Sequence, residues 1–248
     1  MLALLNEDAP HKWRGSSRLL DLEDPKLRIC ALRLTQLAET DIQKAVLIHN
    51  FIKSLPFGCV AAFDHMSAGA VLKSGRGDCH TKGTLFVALL RSSGVSARLR
   101  FVTMSTAFLH GIIDTNPSAI THAVGEVYLQ GRWVQTDAYV TDSLLDAQAA
   151  ALLRLQGRSA GYGIHANGRR SWDGCQDSHA QYAASDLASL PVHDWGVAHD
   201  PEDFYSKMTD PSLRLGWLTR AKWILAAPLV NRRVQQVRAR RSAAVQTE

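Results

Sequence analysis

The sequence lacks the marks of several protein classes. Its 248 residues hold only four cysteines, Cys30, Cys59, Cys79 and Cys175. They are too few and too scattered for a disulfide framework, and no Cys-x-x-Cys pair suggests zinc. The histidines His165, His179, His193 and His199 lie in a polar stretch without metal-ligand spacing. Neither a metal nor a cofactor is therefore expected. No run reaches the roughly 18 apolar residues of a membrane span. The start, Met1-Leu-Ala-Leu-Leu-Asn-Glu-Asp, has neither a basic n-region nor a long apolar h-region, so it does not read as a signal peptide. A reducing cytoplasm is the expected location, and a free reactive thiol survives there. Internal repeats and low-complexity blocks are also missing.

Charge of one sign is scarce outside one place. The net charge is +5, and Arg232, Arg233, Arg238, Arg240 and Arg241 crowd the carboxyl-terminal end. No aromatic residues interleave them, so the stretch reads as a solvated, fraying helix end. The rest is near neutral, and no nucleic-acid partner is expected.

What is present is an ordinary globular composition, 46% hydrophobic and 21% charged, with enough chain for a large core. Ile42, Ala45, Val46, Ile48 and Ile52 share one helical face. Thr40 or Asp41 caps that helix and Pro56 ends it. Ser67 to Lys73 reads as a short helix closed by Gly75, and Phe57 to Phe63 as a short extended segment. From Thr81 to Ser92 the apolar residues Leu85 to Leu90 point to every side, the pattern of a central helix. Ser96 to Met104 alternates as a strand. Thr121 to Leu129 and Arg132 to Tyr139 read as two strands joined at Gln130-Gly131. A helix is expected from Asp142 to about Leu155, and another after Pro211 carrying Leu213, Leu215, Leu218 and Trp223, ended or kinked at Pro228. The pattern is α+β. Expected boundaries are a helical segment 1–40, a core 41–156, an irregular polar region or lid 157–210, and a carboxyl-terminal helix and basic tail 211–248, forming one domain overall. Cys30 and Cys59 read as small core residues.

The chemistry concentrates at Gly75-Arg-Gly-Asp-Cys79-His-Thr-Lys-Gly83. Asp78 can cap a helix whose first turn holds Cys79. Unpaired N–H groups and the positive helix end there favour thiolate, so a lowered Cys79 pKa is expected. The same N–H groups suit an oxyanion hole. Gly83, one turn on, leaves room for a strand beside the thiol. A cysteine nucleophile needs a base, and the base needs an orienter. With a two-residue loop at Gln130-Gly131, Leu129 faces Arg132 and Val124 faces Asp137. His122 then becomes the diagonal neighbour of Asp137, at about 7–8 Å between backbones. A one-residue slip would separate them. The candidate catalytic residues are Cys79, His122 and Asp137. Weaker candidates for substrate contact are His80 and Lys82, beside the nucleophile, and Trp172 and Trp195 as cleft walls.

Gly77-Asp-Cys79, Leu89-Leu-Arg91, Gly94-Val-Ser-Ala-Arg98, the stretch from His122-Ala-Val-Gly to Gly131-Arg-Trp133, and Thr136-Asp137 together resemble the bacterial branch of the transglutaminase-like superfamily. The resemblance covers about residues 40–140. It implies a papain-like α+β core, with a buried helix carrying the cysteine packed on an antiparallel sheet carrying His122 and Asp137. It also implies a cysteine-dependent acyl-transfer enzyme taking a peptide, amide or thioester acyl donor and passing the acyl group to an amine or water. Animal members place an oxyanion-stabilising tryptophan upstream of the cysteine; the only tryptophan there is Trp13, outside the matched region. Alternatives are a cysteine protease or amidase, an arylamine N-acetyltransferase-like enzyme (Arg76-Gly-Asp-Cys79), a carrier-protein amide synthase, and a binding module that has lost the chemistry. Nothing in the sequence sets the oligomeric state.

Overall fold

The computed structural model describes residues 9–60, 62–114, 119–207 and 217–240. Local signals start and stop most elements. Helix α1 (Pro25–Thr35) begins with Asp24 accepting from the Lys26 and Leu27 amides, and has Pro25 in its first turn. Helix α2 (Asp41–Ser54) opens with a capping box between Thr40 and Gln43, satisfying two otherwise unpaired groups. Helix α3 (Ala68–Ser74) is capped by Ser67 and closed by Gly75 at φ 66°, a left-handed position that glycine takes without strain. Asp78 and Thr81 form a second capping box for α4 (Cys79–Ser92). Leu85 to Leu90 of α4 are all fully buried, as an all-round apolar pattern requires.

Strands β1 (Ala97–Ser105), β2 (Ala119–Leu129) and β3 (Arg132–Thr136) follow. Gln130 and Gly131 take positive φ values of 50° and 83°, giving the two-residue turn that matches strand twist. Pairing runs from Leu129↔Arg132 to Gly125↔Thr136, so Asp137 lies one step past the end of β3. Helix α5 (Ser143–Gln156) is capped by Asp142.

The stretch from 157 to 207 holds more structure than its composition suggests. A short hairpin, β4 (Ala160–Gly161) and β5 (Ile164–His165), comes first. Strand β6 (His193–Ala198) then joins β1 to complete an antiparallel sheet in the order β3-β2-β1-β6. Helix α6 (Pro201–Lys207) follows. Helix α7 (Trp217–Ala239) runs through Pro228 instead of ending there. Pro228 is exposed, and on an exposed face the carbonyl it frees can be hydrated. Leu213, Leu215 and Arg241 lie outside the described residues.

Helix α4 rests on the sheet through two glycines. A Cβ at Gly125 of β2 would come within 2.8 Å of the Phe86 ring, and one at Gly83 within 3.0 Å of Leu99 on β1. Val230, Val234 and Val237 of α7 join the same core as α4, β1 and β2. Each large side chain buried there contributes about 1.5–3 kcal/mol. The sheet also has a polar tie. Glu126 of β2 accepts from Arg98 and Arg100 of β1 at 2.5 Å and from Gln135 of β3 at 2.9 Å. Arg100 reaches on to Asp194 of β6 at 2.6 Å. One buried carboxylate thereby links all four strands.

Candidate active site

The amino end of α4 is held on two sides. Gly58 N–H donates to Gly77 O at 2.9 Å and Gly77 N–H to Pro56 O at 3.3 Å, so residues 56–58 run beside the turn before Cys79. Val60 N–H donates to Asp78 at 3.2 Å. Helix α7 closes this segment from outside. Asn231 accepts from the Cys59 amide at 2.7 Å and donates to its carbonyl at 3.1 Å, and Arg238 bonds both Phe57 O and Asp142. The basic tail is therefore in part a clamp, and Arg238 is not a solvated fringe.

His122 and Asp137 are both fully buried. Nε2 of His122 lies 3.0 Å from Oδ2 of Asp137. The Ala180 amide donates to Oδ1 at 2.6 Å, and Nδ1 of His179 stands 4.0 Å from Oδ2. Burial pushes the Asp137 carboxyl up. The hydrogen bond and charge of His122, the charge of His179 and the Ala180 amide outweigh it, leaving the group below its ordinary range. An ionised carboxylate only accepts, so Nε2 carries the proton and a neutral His122 ring has its lone pair at Nδ1. That Nδ1 is buried with no hydrogen-bond partner, the Cys79 sulfur included.

Cys79 is half-buried. Burial pushes its thiol well above the ordinary value, and the Asp78 charge adds to this. The amides of Ala123 and His80 pull the other way without offsetting it. The lowering expected from the helix end is opposed first by burial and then by the capping carboxylate of Asp78, which sits next to the thiol. The Ala123 amide, which follows His122 on β2, nevertheless places the sulfur beside the histidine's own strand.

The weaker candidates separate. Lys82 is fully buried, and its Nζ donates to Leu55 O at 2.9 Å and Val140 O at 2.8 Å. It braces the loop after Asp137 and faces no cleft. Trp172 is buried against His49 and Phe86, so it pins the core and is no cleft wall. His80 is enclosed as well. Trp195 lines an open cleft of about 540 Å³ with Trp13, Phe101, Phe204, Lys12 and Lys207, and the lining includes none of Cys79, His122 and Asp137. Trp13 itself packs on Trp133 and Arg98. The other histidines are scattered: His165 bonds Asp186 at 3.0 Å, His193 packs on Trp195 and His199 on Trp13. Among the described residues no cluster of three His, Cys, Asp or Glu is arranged to hold a metal. Nor is any helix there long and apolar enough to cross a membrane.

Reading by motif missed the Ala180 amide, His179 and Tyr139. The buried Tyr139 hydroxyl sits between Gly83 and Gly125, where added Cβ atoms would lie 3.2 and 3.1 Å from it. The two glycines were the available signal, because each marks a close approach.

A cysteine opening a buried helix, packed on an antiparallel sheet that carries a histidine–aspartate pair, is the arrangement of papain-like cysteine folds. Residues 29–138, somewhat under half of the chain, match the family model described as the transglutaminase-like superfamily. Among solved structures, the chain is similar to a candidate cysteine protease from Cytophaga hutchinsonii, with a TM-score of 0.43 and 20% identity over 54% of this chain and 43% of that one. It is also similar to a candidate protease from Parabacteroides distasonis, with a TM-score of 0.36 and 16% identity over 48% of this chain and 24% of that one. The chain thus spans less than half the length of either. No curated protein matches it.

Proposed function

We propose that the chain is a cysteine-dependent acyl-transfer enzyme with Cys79 as nucleophile, His122 as base and Asp137 as orienting carboxylate. The observation that carries the reading is the His122 ring, tied to Asp137 through Nε2 at 3.0 Å while Nδ1 stays buried and unpartnered. A buried nitrogen lone pair left without a partner costs about 1–3 kcal/mol; at a reacting centre that cost keeps the base free.

The chemistry follows from these roles. Substrate binding brings the Cys79 thiol to Nδ1, which takes its proton, and the sulfur attacks an amide or thioester carbonyl. The carbonyl π electrons move to oxygen, and the amides at the start of α4 stabilise the oxyanion. Collapse expels the amine or thiol, which recovers the proton from Nδ1, and leaves a thioester on Cys79. An amine or water then attacks that thioester, with His122 again moving the proton. The high resting pKa of the thiol fits a proton transfer that waits for substrate.

Incubation with a small aliphatic thioester, followed by intact mass and peptide mapping, tests the proposal. The expected adduct is a single acyl group on Cys79, formed by the natural chain and lost in His122→Ala. Added methylamine separates amide formation from hydrolysis by product mass. Acylation at Cys30, Cys59 or Cys175 instead, or undiminished acylation in His122→Ala, would overturn it.

A further inference from the structure

His80 follows the nucleophile, yet its side chain points into closed space and is 4% exposed. Nδ1 lies 2.8 Å from the Tyr205 hydroxyl on α6. Nε2 lies 3.3 Å from the carbonyl oxygen of Thr121 on β2. The rings of Phe63, Phe101 and Tyr205 surround it, with centroids 4.8, 5.9 and 5.6 Å away. Burial lowers its pKa to about 3, so the ring is neutral at physiological pH.

The partners fix the tautomer. The Thr121 carbonyl, which only accepts, lies nearer to Nε2 than the Thr121 hydroxyl, at 3.3 against 3.4 Å, and on that contact Nε2 carries the single ring proton. Nδ1 is then the acceptor, and the Tyr205 hydroxyl must donate to it. A phenylalanine would fill the same space without two buried polar atoms, which are costly to desolvate unless both are bonded. The directional contacts are therefore what the histidine adds. They have a particular placement: His80 is one residue after Cys79, and Thr121 is one residue before His122. A single hydrogen bond ties the chain neighbours of the two reacting side chains together.

We infer that His80, locked by Tyr205, is a positioning residue that sets the separation between the Cys79 sulfur and the His122 ring, an inference that rests on the catalytic reading above. Helix α6 supplies the lock, although it lies beyond the matched family segment. Without the Tyr205 proton donor, Nδ1 loses its partner, the ring can turn, and the Cys79 turn is no longer held against β2.

The test uses the full chain, a small aliphatic thioester as probe and two readouts. Ring ¹⁵N resonances of His80 should report a protonated Nε2 and a bare Nδ1, with the Nδ1 signal shifting in Tyr205→Phe. Second-order acylation of Cys79 by the thioester at pH 7 should fall about 10–100-fold in Tyr205→Phe and in His80→Phe, the scale expected of an ångström-level misplacement. Melting of Tyr205→Phe, which removes one oxygen, should stay cooperative. If His80→Phe does not fold, the tautomer and the Tyr205→Phe rate decide. A protonated Nδ1, or unchanged acylation in Tyr205→Phe, would overturn the inference. His122→Ala separates the two failures. A slowed His122→Ala beside an unaffected Tyr205→Phe removes only the positioning role, and an unaffected His122→Ala removes the catalytic reading itself.

Discussion

The molecule divides into two regions that contribute differently to one site. Residues 40–140 carry the groups assigned to the chemistry, on a helix and strands that sequence patterning announces. Residues 157–240 carry none of them, yet they hold Asp137 directly and the surroundings of Cys79 through its neighbours. The Ala180 amide holds Asp137, Tyr205 holds His80, and Asn231 and Arg238 hold the segment beside the Cys79 turn. Reactive groups and their supports thus come from different parts of the chain, and only the first part has a recognisable motif.

The sharpest way to break this comparison is to remove the reacting groups. Acylation should fall by about 10⁶-fold in Cys79→Ala or His122→Ala and by about 10⁴-fold in Asp137→Asn, with folding retained. Thioester acylation followed by mass spectrometry checks the order. A wild-type rate in His122→Ala would mean the core does not hold the base.

The second expectation concerns the resting thiol. Because burial and Asp78 raise the Cys79 pKa, its iodoacetamide labelling should be slow at neutral pH. It should then rise about tenfold per pH unit while thiolate remains the minor form. Exposed Cys175 should label first. Peptide mapping over a pH series reads both, and a fast, pH-independent Cys79 would contradict the burial argument.

The supporting region can be tested by stability. Arg238 and Asp142 form a buried pair, so Arg238→Ala should cost about 3–5 kcal/mol by leaving a carboxylate uncompensated. Urea unfolding gives the value. Arg18 and Glu202 pair on the surface, at 52% and 41% side-chain exposure, and Arg18→Ala should leave the urea midpoint close to that of the natural chain. Equal losses would show that depth is not what sets the worth of these contacts.

Between these two lies a pH effect. Burial lowers the His49 pKa from 6.5 to about 4. A depressed folded pKa means that the unfolded chain binds the proton first. The stability His49 contributes is therefore whole above 6.5 and is lost as pH falls toward 4, about 3 kcal/mol in all at roughly 1.4 kcal/mol per unit. Urea midpoints at pH 7, 5.5 and 4.5 should fall in that order, and His49→Phe should flatten the slope.

The difference in legibility between the regions has physical causes. Helix α2, the α4 cysteine turn and the β2–β3 register could be read because caps, a two-residue turn and apolar periodicity are local signals. The His122–Asp137 contact followed from that register, because strand pairing converts spacing into proximity. Strand β6 gave no such signal: it is an edge strand, with Gly196 at φ 82° and a register shift opposite Phe101 and Val102. The Ala180 amide is backbone and carries no residue signature. Lys82 read as a candidate for substrate contact because its carbonyl partners, Leu55 O and Val140 O, belong to distant loops. The all-round burial of α4 was the clue that His80 and Lys82 would be enclosed too.

The Arg238–Asp142 contact also orders events during synthesis. These residues are 96 positions apart, and translation adds roughly 5–20 residues per second. Asp142 therefore emerges from the ribosome on the order of ten seconds before its partner. Through that interval the 56–60 segment beside the cysteine has no clamp, so a nascent chain carries the nucleophile without its finished surroundings. Ribosome-bound chains stalled with Arg238 still in the exit tunnel should be cut by protease near Gly58, and chains extended by a linker until it has emerged should resist. Helix α7, made well after the Cys79 turn, would then be what closes the surroundings of that turn.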